Sequence, residues 1–476
     1  MAPSAPSVRW ALASLSLSML LSSLGTSIAN VALPTLAQAF VASFQDVQWV
    51  VLGYLLAITT LIVSAGRLGD MIGRRRLLLA GVALFTVASA LCGAAPTLWL
   101  LVAARAAQGL GAAVMMALTM ALVGETVPKE KTGRVMGLLG TMSAIGTALG
   151  PSLGGILIAG LGWRAIFLVN LPLGLLTLFL AYRHLPVDRR MPRADTASFD
   201  TVGTLLLALT LAAYALAMTV GRGNFGLVNM ALLLAALVGV GLLVLAQRKV
   251  ASPLIRLTMF RDPVLSASLA MSVLVATVMM ATLVVGPFYL SRTLGLDAAV
   301  VGLVVSVGPL VVALTGVPAG RMTDRFGAQP MTVVGLVGIA AGSGILTLMP
   351  PAFGIPGYIG PLAIITAGYA LFQTANNTDV MTDIPRDQRG VISGMLNLSR
   401  NLGLITGASA MGAVFALASG PANITMAPPE AVANGLRTTF ALAAALIVVA
   451  LLIAIGSRAF AACSSLRRAP HQGENR

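Results

Sequence analysis

The reading of the chain turns on two stretches. The first is Gly66-Arg67-Leu68-Gly69-Asp70-Met71-Ile72-Gly73, followed at once by Arg74, Arg75 and Arg76; the second is Gly320-Arg321-Met322-Thr323-Asp324-Arg325-Phe326-Gly327. Four of the eight positions are identical, with Gly, Arg, Asp and Gly at the same offsets. Each stretch closes an apolar run long enough to cross a hydrocarbon core of about 30 Å. A motif repeated behind equivalent runs marks an internally duplicated chain.

Working outward with a window of about 19 residues, apolar runs centre near Ser22, Ala57, Phe85, Leu110, Thr147, Leu175, Ala212, Ala236, Thr277, Leu310, Ile339, Ile365, Leu402 and Ile447. These are fourteen spans, so both chain ends lie on one side. The first motif follows the second span and its copy follows the tenth. A separation of eight spans rather than six predicts two six-helix halves with a pair of helices inserted between them. Polar linkers at His184–Asp200 and Gln247–Pro263 bracket that pair. The expected organisation is a first bundle over 10–183, linkers and two extra spans over 184–262, a second bundle over 263–460 and a tail over 461–476. The fold class is an all-α polytopic membrane protein.

Composition excludes the alternatives. Apolar residues make up 58% of the 476 residues and charged ones 9%, against roughly a quarter charged in soluble chains. Arg9 and the apolar run after it imitate a signal peptide, but the run continues to Pro34 and thirteen spans follow, so no cleavage is expected. The two cysteines, Cys92 and Cys463, lie too far apart along the span order to pair, and His184 and His471 sit in polar segments. No cluster has metal-ligand spacing. No Gly-x-x-x-x-Gly-Lys-Ser/Thr loop for a nucleotide is present and no histidine is placed for a triad. Neither enzyme chemistry nor a cofactor is expected.

The net charge of +15 would suggest nucleic acid as a partner were it not so placed. Twenty-four of the thirty basic residues fall in the termini and in loops on the terminal side, Arg164, Arg222, Arg292 and Arg437 fall on the other, and Arg105 and Arg400 fall inside spans. Basic loops stay cytoplasmic. Both termini are therefore expected in the cytoplasm, with the lipid bilayer rather than nucleic acid as the partner.

Several intramembrane groups call for more than packing. Arg105 lies about two helical turns from the outer end of its span, where a charge costs up to about 2.5–3.5 kcal/mol on insertion scales; with Gln108 it is expected to face an internal cavity. Arg400 lies eleven residues beyond Arg389, near mid-membrane by helix rise, and is a second cavity candidate, with interhelical packing as its rival. Gln373, Asn376 and Asn377 make the twelfth span polar. Asp379, beside them, is either a proton carrier or a solvated end of the helix. In the first span Ser16, Ser23, Ser27 and Asn30 recur at helical spacing, which fits a cavity wall or a helix-to-helix face. Gly146, Gly150 and Gly154 stack at i, i+4 and i+8 and admit a neighbouring backbone, while Pro151 adds a kink.

These motifs together resemble the major facilitator superfamily. Gly66 to Arg75 is similar to its signature loop, Gly-x-Leu-x-Asp-x-x-Gly-Arg-Arg/Lys, and the resemblance gives Gly66, Asp70, Gly73, Arg74 and, in the copy, Asp324 a conformational role. Arg105, Gln108, Gly109 and Gly111 resemble in part its Arg-x-x-Gln-Gly-x-Gly motif, associated with substrate and proton handling. Gly146 to Gly155 resembles the antiporter motif Gly-x-x-x-Gly-Pro-x-x-Gly-Gly, and Trp163 to Gly174 the Trp-Arg-x-Ile-Phe-x-x-Asn-x-Pro-x-Gly passage of fourteen-span drug:proton antiporters. Leu24 to Pro34 resembles the branch's Leu-Asp-x-Thr-Ile-Val-Asn-Val-Ala-Leu-Pro, with Ser27 and Ala29 at the Thr and Val positions and, as the main departure, Gly25 where the aspartate belongs. The resemblance implies a monomeric secondary transporter of the bacterial inner membrane, exporting small amphipathic compounds in exchange for protons by alternating access. Arg105 and Asp379 are its proton-coupling candidates, and Tyr54, Phe288 and Tyr289 are expected in its cavity wall. The missing carboxylate at Gly25 favours neutral or anionic substrates over cations. An importer and a non-transporting sensor on the same scaffold are the alternatives.

Overall fold

The computed structural model describes residues 8–126, 132–187, 200–220, 226–249, 262–382, 389–420 and 427–467. Residues 188–199 of the expected linker His184–Asp200, 250–261 of the expected linker Gln247–Pro263 and the last residues of the expected tail lie outside the described residues. In chain order the helices are α1 (Val8–Ala39), α2 (Phe44–Ile72), α3 (Arg74–Ala94), α4 (Leu98–Thr126), α5 (Thr132–Leu161), α6 (Ala165–Leu168), α7 (Asn170–His184), α8 (Thr201–Thr219) and α9 (Leu227–Lys249). There follow α10 (Pro263–Arg292), α11 (Ala298–Phe326), α12 (Ala328–Leu348), α13 (Gly354–Thr382), α14 (Arg389–Thr406), a π-helical turn at Gly407–Met411, α15 (Gly412–Ala418) and α16 (Pro429–Arg467). Among the described residues fourteen helical segments are long and apolar enough to cross a membrane, the number read from the sequence. Within the stretch expected as a tail, α16 continues to Arg467.

Short polar signals set the helix ends. Ser43 and Asp46 form a reciprocal capping box at the start of α2, satisfying amide groups that the first turn leaves without partners. Asp200, Asp262 and Asp297 cap α8, α10 and α11 by a one-way contact, each side chain accepting from first-turn amides. The two copies of the duplicated motif also fold alike. Gly73 (φ 109°) donates its N–H to the Gly69 carbonyl and Gly327 (φ 88°) to that of Thr323, each ending one helix and starting the next. A residue with a Cβ is strained in that backbone region, so glycine is required at both corners.

Helices α1 to α7 pack as one bundle, in which α1 lies on α5 and α4 fits between α2 and α3. Helices α10 to α16 repeat the plan, with α10 on α14, α11 on α13 and α12 between α13 and α16. The inserted pair packs on itself. The buried residues of α9 are Asn229, Ala236, Leu243 and Gln247, a single stripe near heptad spacing laid on α8, and its other faces carry exposed Leu234, Leu237, Leu242 and Leu245. Among lipid tails that exposure carries no cost, because the surroundings are as apolar as the side chains. Asp200 accepts from Gln247 Nε2 at 2.7 Å and Asn229 donates to the Ala217 carbonyl at 2.8 Å, tying the two ends of the pair.

Helix α8 lies across the seam between the bundles. It meets α2 through Ser64–Thr204 at 3.0 Å and Trp49 Nε1 donating to Thr219 at 3.2 Å. On its other side the Tyr214 hydroxyl reaches Thr406 and Ser409, at the end of α14 and in the π-helical turn. Here "near" denotes the side where α1 begins and α16 ends, and "far" the opposite side.

Candidate functional site

The bundles are joined by contacts gathered in the far half. At one seam the Gly155 and Gly302 Cα positions approach so closely that a Cβ on Gly155 would lie 2.4 Å from the Ala298 carbonyl, and one on Gly302 would lie 2.3 Å from that of Pro151. At the other seam Gln48 of α2 donates through Nε2 to the Ala408 carbonyl of the π-helical turn at 2.8 Å. Between the seams Phe44, Phe288 and Phe415 stack edge to face, with ring centroids 4.8 and 5.4 Å apart for the two pairs that include Phe44. All three rings are buried, so the far side is plugged by dry aromatic packing.

Toward the near side the same surfaces open. Helix α14 shows this most plainly, because its three faces have separate partners. Gly403 and Gly407 lie against the Val273 and Thr277 carbonyls of α10, and Thr406 and Ser409 meet Tyr214 of α8. The third face, by the 100° step of an α-helix, carries Asn397, Arg400, Asn401 and Leu404. Farther along, that same face meets α2 through Ala408 and Gly412. In the near half it is uncovered: Asn397 and Arg400 are exposed, and Asn401 and Leu404 half-buried. Since α8 closes the outer side of α14, the exposed face looks into the gap between the bundles. Arg400 makes no hydrogen bond or ion pair with a described residue.

Helix α13 contributes the adjoining wall. Gly368 and Phe372 pack on Gly335 of α12, which turns Gln373 and Asn377 to the opposite side, where both are half-buried and lie 3.5 Å apart through Nε2 and Oδ1. Asn376 points elsewhere. It accepts from Ser268 at 2.7 Å and donates to Ser272 at 3.2 Å, and is buried between α13 and α10.

The first bundle departs from expectation. Arg105 has 0% exposure and does not face the gap. Its Nε donates to the Val50 carbonyl at 2.9 Å, one terminal nitrogen to the Gly25 carbonyl at 3.1 Å and the other to Gln108 Oε1, while the guanidinium lies 4.0 Å from the centre of the Tyr54 ring. Gln108 passes the chain on to Ser89 at 2.7 Å, and Tyr54 donates to the Ser22 carbonyl at 2.8 Å. One cation thus links α1, α2 and α4 directly and α3 through Gln108, its charge spread over backbone dipoles and an aromatic face. Gly25 stands at the centre: a Cβ there would lie 3.0 Å from the Tyr54 hydroxyl and 3.3 Å from the Phe85 ring. The place of the absent aspartate is filled by a phenol and a phenyl ring. Arg105, Gln108 and Tyr54 are internal ties in this state, and the reason is that the arginine fork finds enough acceptors on neighbouring helices to need no water.

Ser27 and Asn30 are enclosed as well. Ser27 meets the α5 backbone, its Oγ 3.4 Å from the Gly146 carbonyl, and Gly150 sits against it so tightly that a Cβ would lie 1.9 Å from that oxygen. Gly154 admits Ile28 and Val31 in the same groove, and Pro151 is buried between them in sequence. Asn30 donates to the Thr26 and Ser27 carbonyls at 3.2 and 3.3 Å while its buried Oδ1 has no hydrogen-bond partner among the described residues. The polar stripe of the first span is therefore a helix-to-helix surface here. Asp379 lines a cavity of about 40 Å³ with Ser268, Gln329, Thr332 and Asn376, inside the second bundle between α10, α12, α13 and α16. That is room for one or two waters, apart from the gap.

Of the conformational motifs, Gly66 lies within α2, Arg74 opens α3, and Asp324 is exposed near the end of α11. The Asp70 side chain lies outside those described. No group of three or more His, Cys, Asp or Glu able to hold a metal occurs among the described residues. Sequence reading missed Gln48, Asn397, Asn401 and Tyr214. The two asparagines were detectable in principle, since they share a helical face with Arg400; Gln48 and Tyr214 gain meaning only from partners hundreds of residues away.

The chain is similar to known transporters along most of its length. It is 34% identical to the multidrug resistance protein Stp of Mycobacterium tuberculosis over 394 residues, covering 82% of this chain and 72% of that protein. It is 31% identical to the riboflavin transporter RibZ of Clostridioides difficile over 403 residues, covering 83% and 86%. Among solved structures, a bacterial homologue of the human lysosomal transporter Spinster, inward-facing and unoccupied, superposes with a TM-score of 0.68 at 17% identity, over 95% of this chain and 97% of that one. The profile of the Major Facilitator Superfamily matches residues 15–408. With the duplicated glycine corners, the paired bundles and the gap between them, this makes the chain a member of the Major Facilitator Superfamily.

Proposed function

We propose that the protein exports small amphipathic compounds by alternating access, loading them in the gap from the cytoplasmic side and releasing them beyond the membrane as the bundles rock about their shared seams. The observation that supports it most is the pairing of a dry, interlocked far side with an uncovered near side whose wall is Gln373, Asn377, Asn397, Arg400 and Asn401. On this reading the near side is the cytoplasm, the membrane is the bacterial inner membrane, both termini are cytoplasmic and the working unit is a monomer. Drug efflux in relatives such as Stp supports the substrate class.

Proton exchange is the coupling we propose, with Arg105 and Asp379 as the groups whose environment changes with state. Arg105 is sealed here and would need the bundle to open to exchange with water, whereas Asp379 is half-buried. A proton-independent carrier is favoured by one observation: Gly25 leaves Arg105 with carbonyl, amide and aromatic partners and no carboxylate. Everted vesicles discriminate. With an acid-inside gradient they should accumulate amphipathic dyes, and a protonophore should stop it. Accumulation that survives the protonophore overturns the coupling, and no flux across a chemically diverse panel overturns export.

A further inference from the structure

We propose that the near half of α14 carries an anion subsite, in which Arg400 with Asn397 and Asn401 receives a carboxylate or sulfonate while Leu404 and the gap above it take the apolar body of the same molecule. This rests on reading the gap as the substrate's path. The face is polar where lipid would not tolerate it: Asn397, Arg400 and Asn401 lie about one helical turn apart or less, and an arginine at that depth with no partner among the described residues is stabilised by water or an anion beside it. Its direction is fixed by its neighbours, since α10 covers one side of α14 and Tyr214 of α8 the other.

Contrast with the second intramembrane arginine sharpens the assignment. Arg105 is fully buried, with three of its five N–H donors and a ring face engaged inside the bundle, so it presents no surface to a ligand in the gap. Arg400 has its fork free of any described partner. A planar guanidinium binds a carboxylate or sulfonate through two parallel N–H donors, and the flanking Asn401 amide is a neutral donor for a remaining oxygen lone pair. Leu404 follows about 6 Å farther along the helix, matching a molecule with a charged head and an apolar body.

The test needs no knowledge of the physiological cargo. Leu404→Cys is introduced with Cys92→Ala and Cys463→Ser, and its rate of modification from the near side is measured with two thiol reagents of opposite charge, sulfonatoethyl methanethiosulfonate and trimethylammonioethyl methanethiosulfonate. With Arg400 present, the sulfonate reagent, relative to the cationic one, should gain about tenfold or more over the same ratio in Arg400→Gln, because the reagents differ by two charges beside one fixed charge. Arg400→Lys should keep most of that bias. Naphthalenesulfonate should slow the modification and lose that effect in Arg400→Gln, whereas neutral naphthalenemethanol should behave alike in both.

An unchanged rate ratio in Arg400→Gln, or a thiol at 404 that neither reagent reaches in protein whose elution profile and melting point match the parent, overturns the subsite. Equal protection by the sulfonate and the alcohol overturns it too. Absence of dye flux in everted vesicles would instead remove the export reading while leaving the rate ratio standing, so the two failures are told apart.

Discussion

Arg105 illustrates how a buried charge is made tolerable without an opposite charge. Its three acceptors come from three places, the Val50 and Gly25 carbonyls and the Gln108 amide, and the Tyr54 ring covers its face. Removing it leaves the Gln108 Oε1 without its donor, at about 1–3 kcal/mol, takes a second donor from the Val50 and Gly25 carbonyls that their own helices already bond, and opens a cavity under the Tyr54 ring. Arg105→Ala is therefore expected to lower unfolding stability by about 2–4 kcal/mol, read as an earlier thermal midpoint of the purified protein. Arg105→Lys should recover only part of it, since an ammonium cannot reproduce the fork. Arg400 should behave oppositely: Arg400→Gln removes a charge with no described partner and should leave the melting point unchanged within about 0.5 kcal/mol. At this scale the sequence was half legible. Depth in the span marked both arginines as unusual, but their neighbours on other helices decide which is sealed and which is open, and no spacing within one helix encodes that.

The element scale was the most legible. Span count, the eight-span offset between motif copies and the inserted pair followed from apolar length and from a repeat of glycine, arginine and aspartate. The glycines at the ends of the motif have a conformational reason, visible in the matching positive φ of Gly73 and Gly327. Gly73→Ala should destabilise the protein by about 1–3 kcal/mol through strain at that corner, and Gly66→Ala, where a Cβ meets nothing within 4 Å, should not; thermal midpoints of the two variants check this. Less legible was the use of the glycines in α5. Gly146, Gly150 and Gly154 accept α1 within the bundle, while Gly155, one position on, meets Gly302 across the seam. Gly302→Val should therefore wedge the far seam open without disturbing the α1–α5 packing. Expected is greater reactivity of a cysteine placed at a position buried beside that seam, such as Val305→Cys, toward membrane-impermeant thiol reagents, with the melting point lowered modestly. The role of α8 as a strip over the α2–α14 seam also lay beyond the sequence, because its Ser64, Trp49 and Tyr214 contacts join residues from three separate spans.

Across the whole molecule, the design is two rigid bundles whose contact surface is dry at one end and wettable at the other. Phe44, Phe288 and Phe415 close the far end by packing alone, with the Gln48 amide as the polar tie beside them. Such closure can be undone without stranding many polar groups, which is what a reversible seal requires. The near half leaves exposed groups that a second closed state would have to cover, and α14 presents most of them. On the proposed rocking, a second state would bury this near set in place of the far one, and a bound solute that favours one state shifts the balance toward it.

The most direct test is a pair of distances measured in one sample. Spin labels at Leu138 and Met322, exposed on the near halves of α5 and α11, report the near side, and labels at Leu161 and Leu303 the far side. The parent protein should give a long near distance and a short far one. Gly302→Val should move the two in opposite directions, the near distribution shortening as the far one lengthens. If both distributions are unchanged by the substitution, or if both lengthen together, the bundles do not rock as rigid units and the account of alternating closure fails.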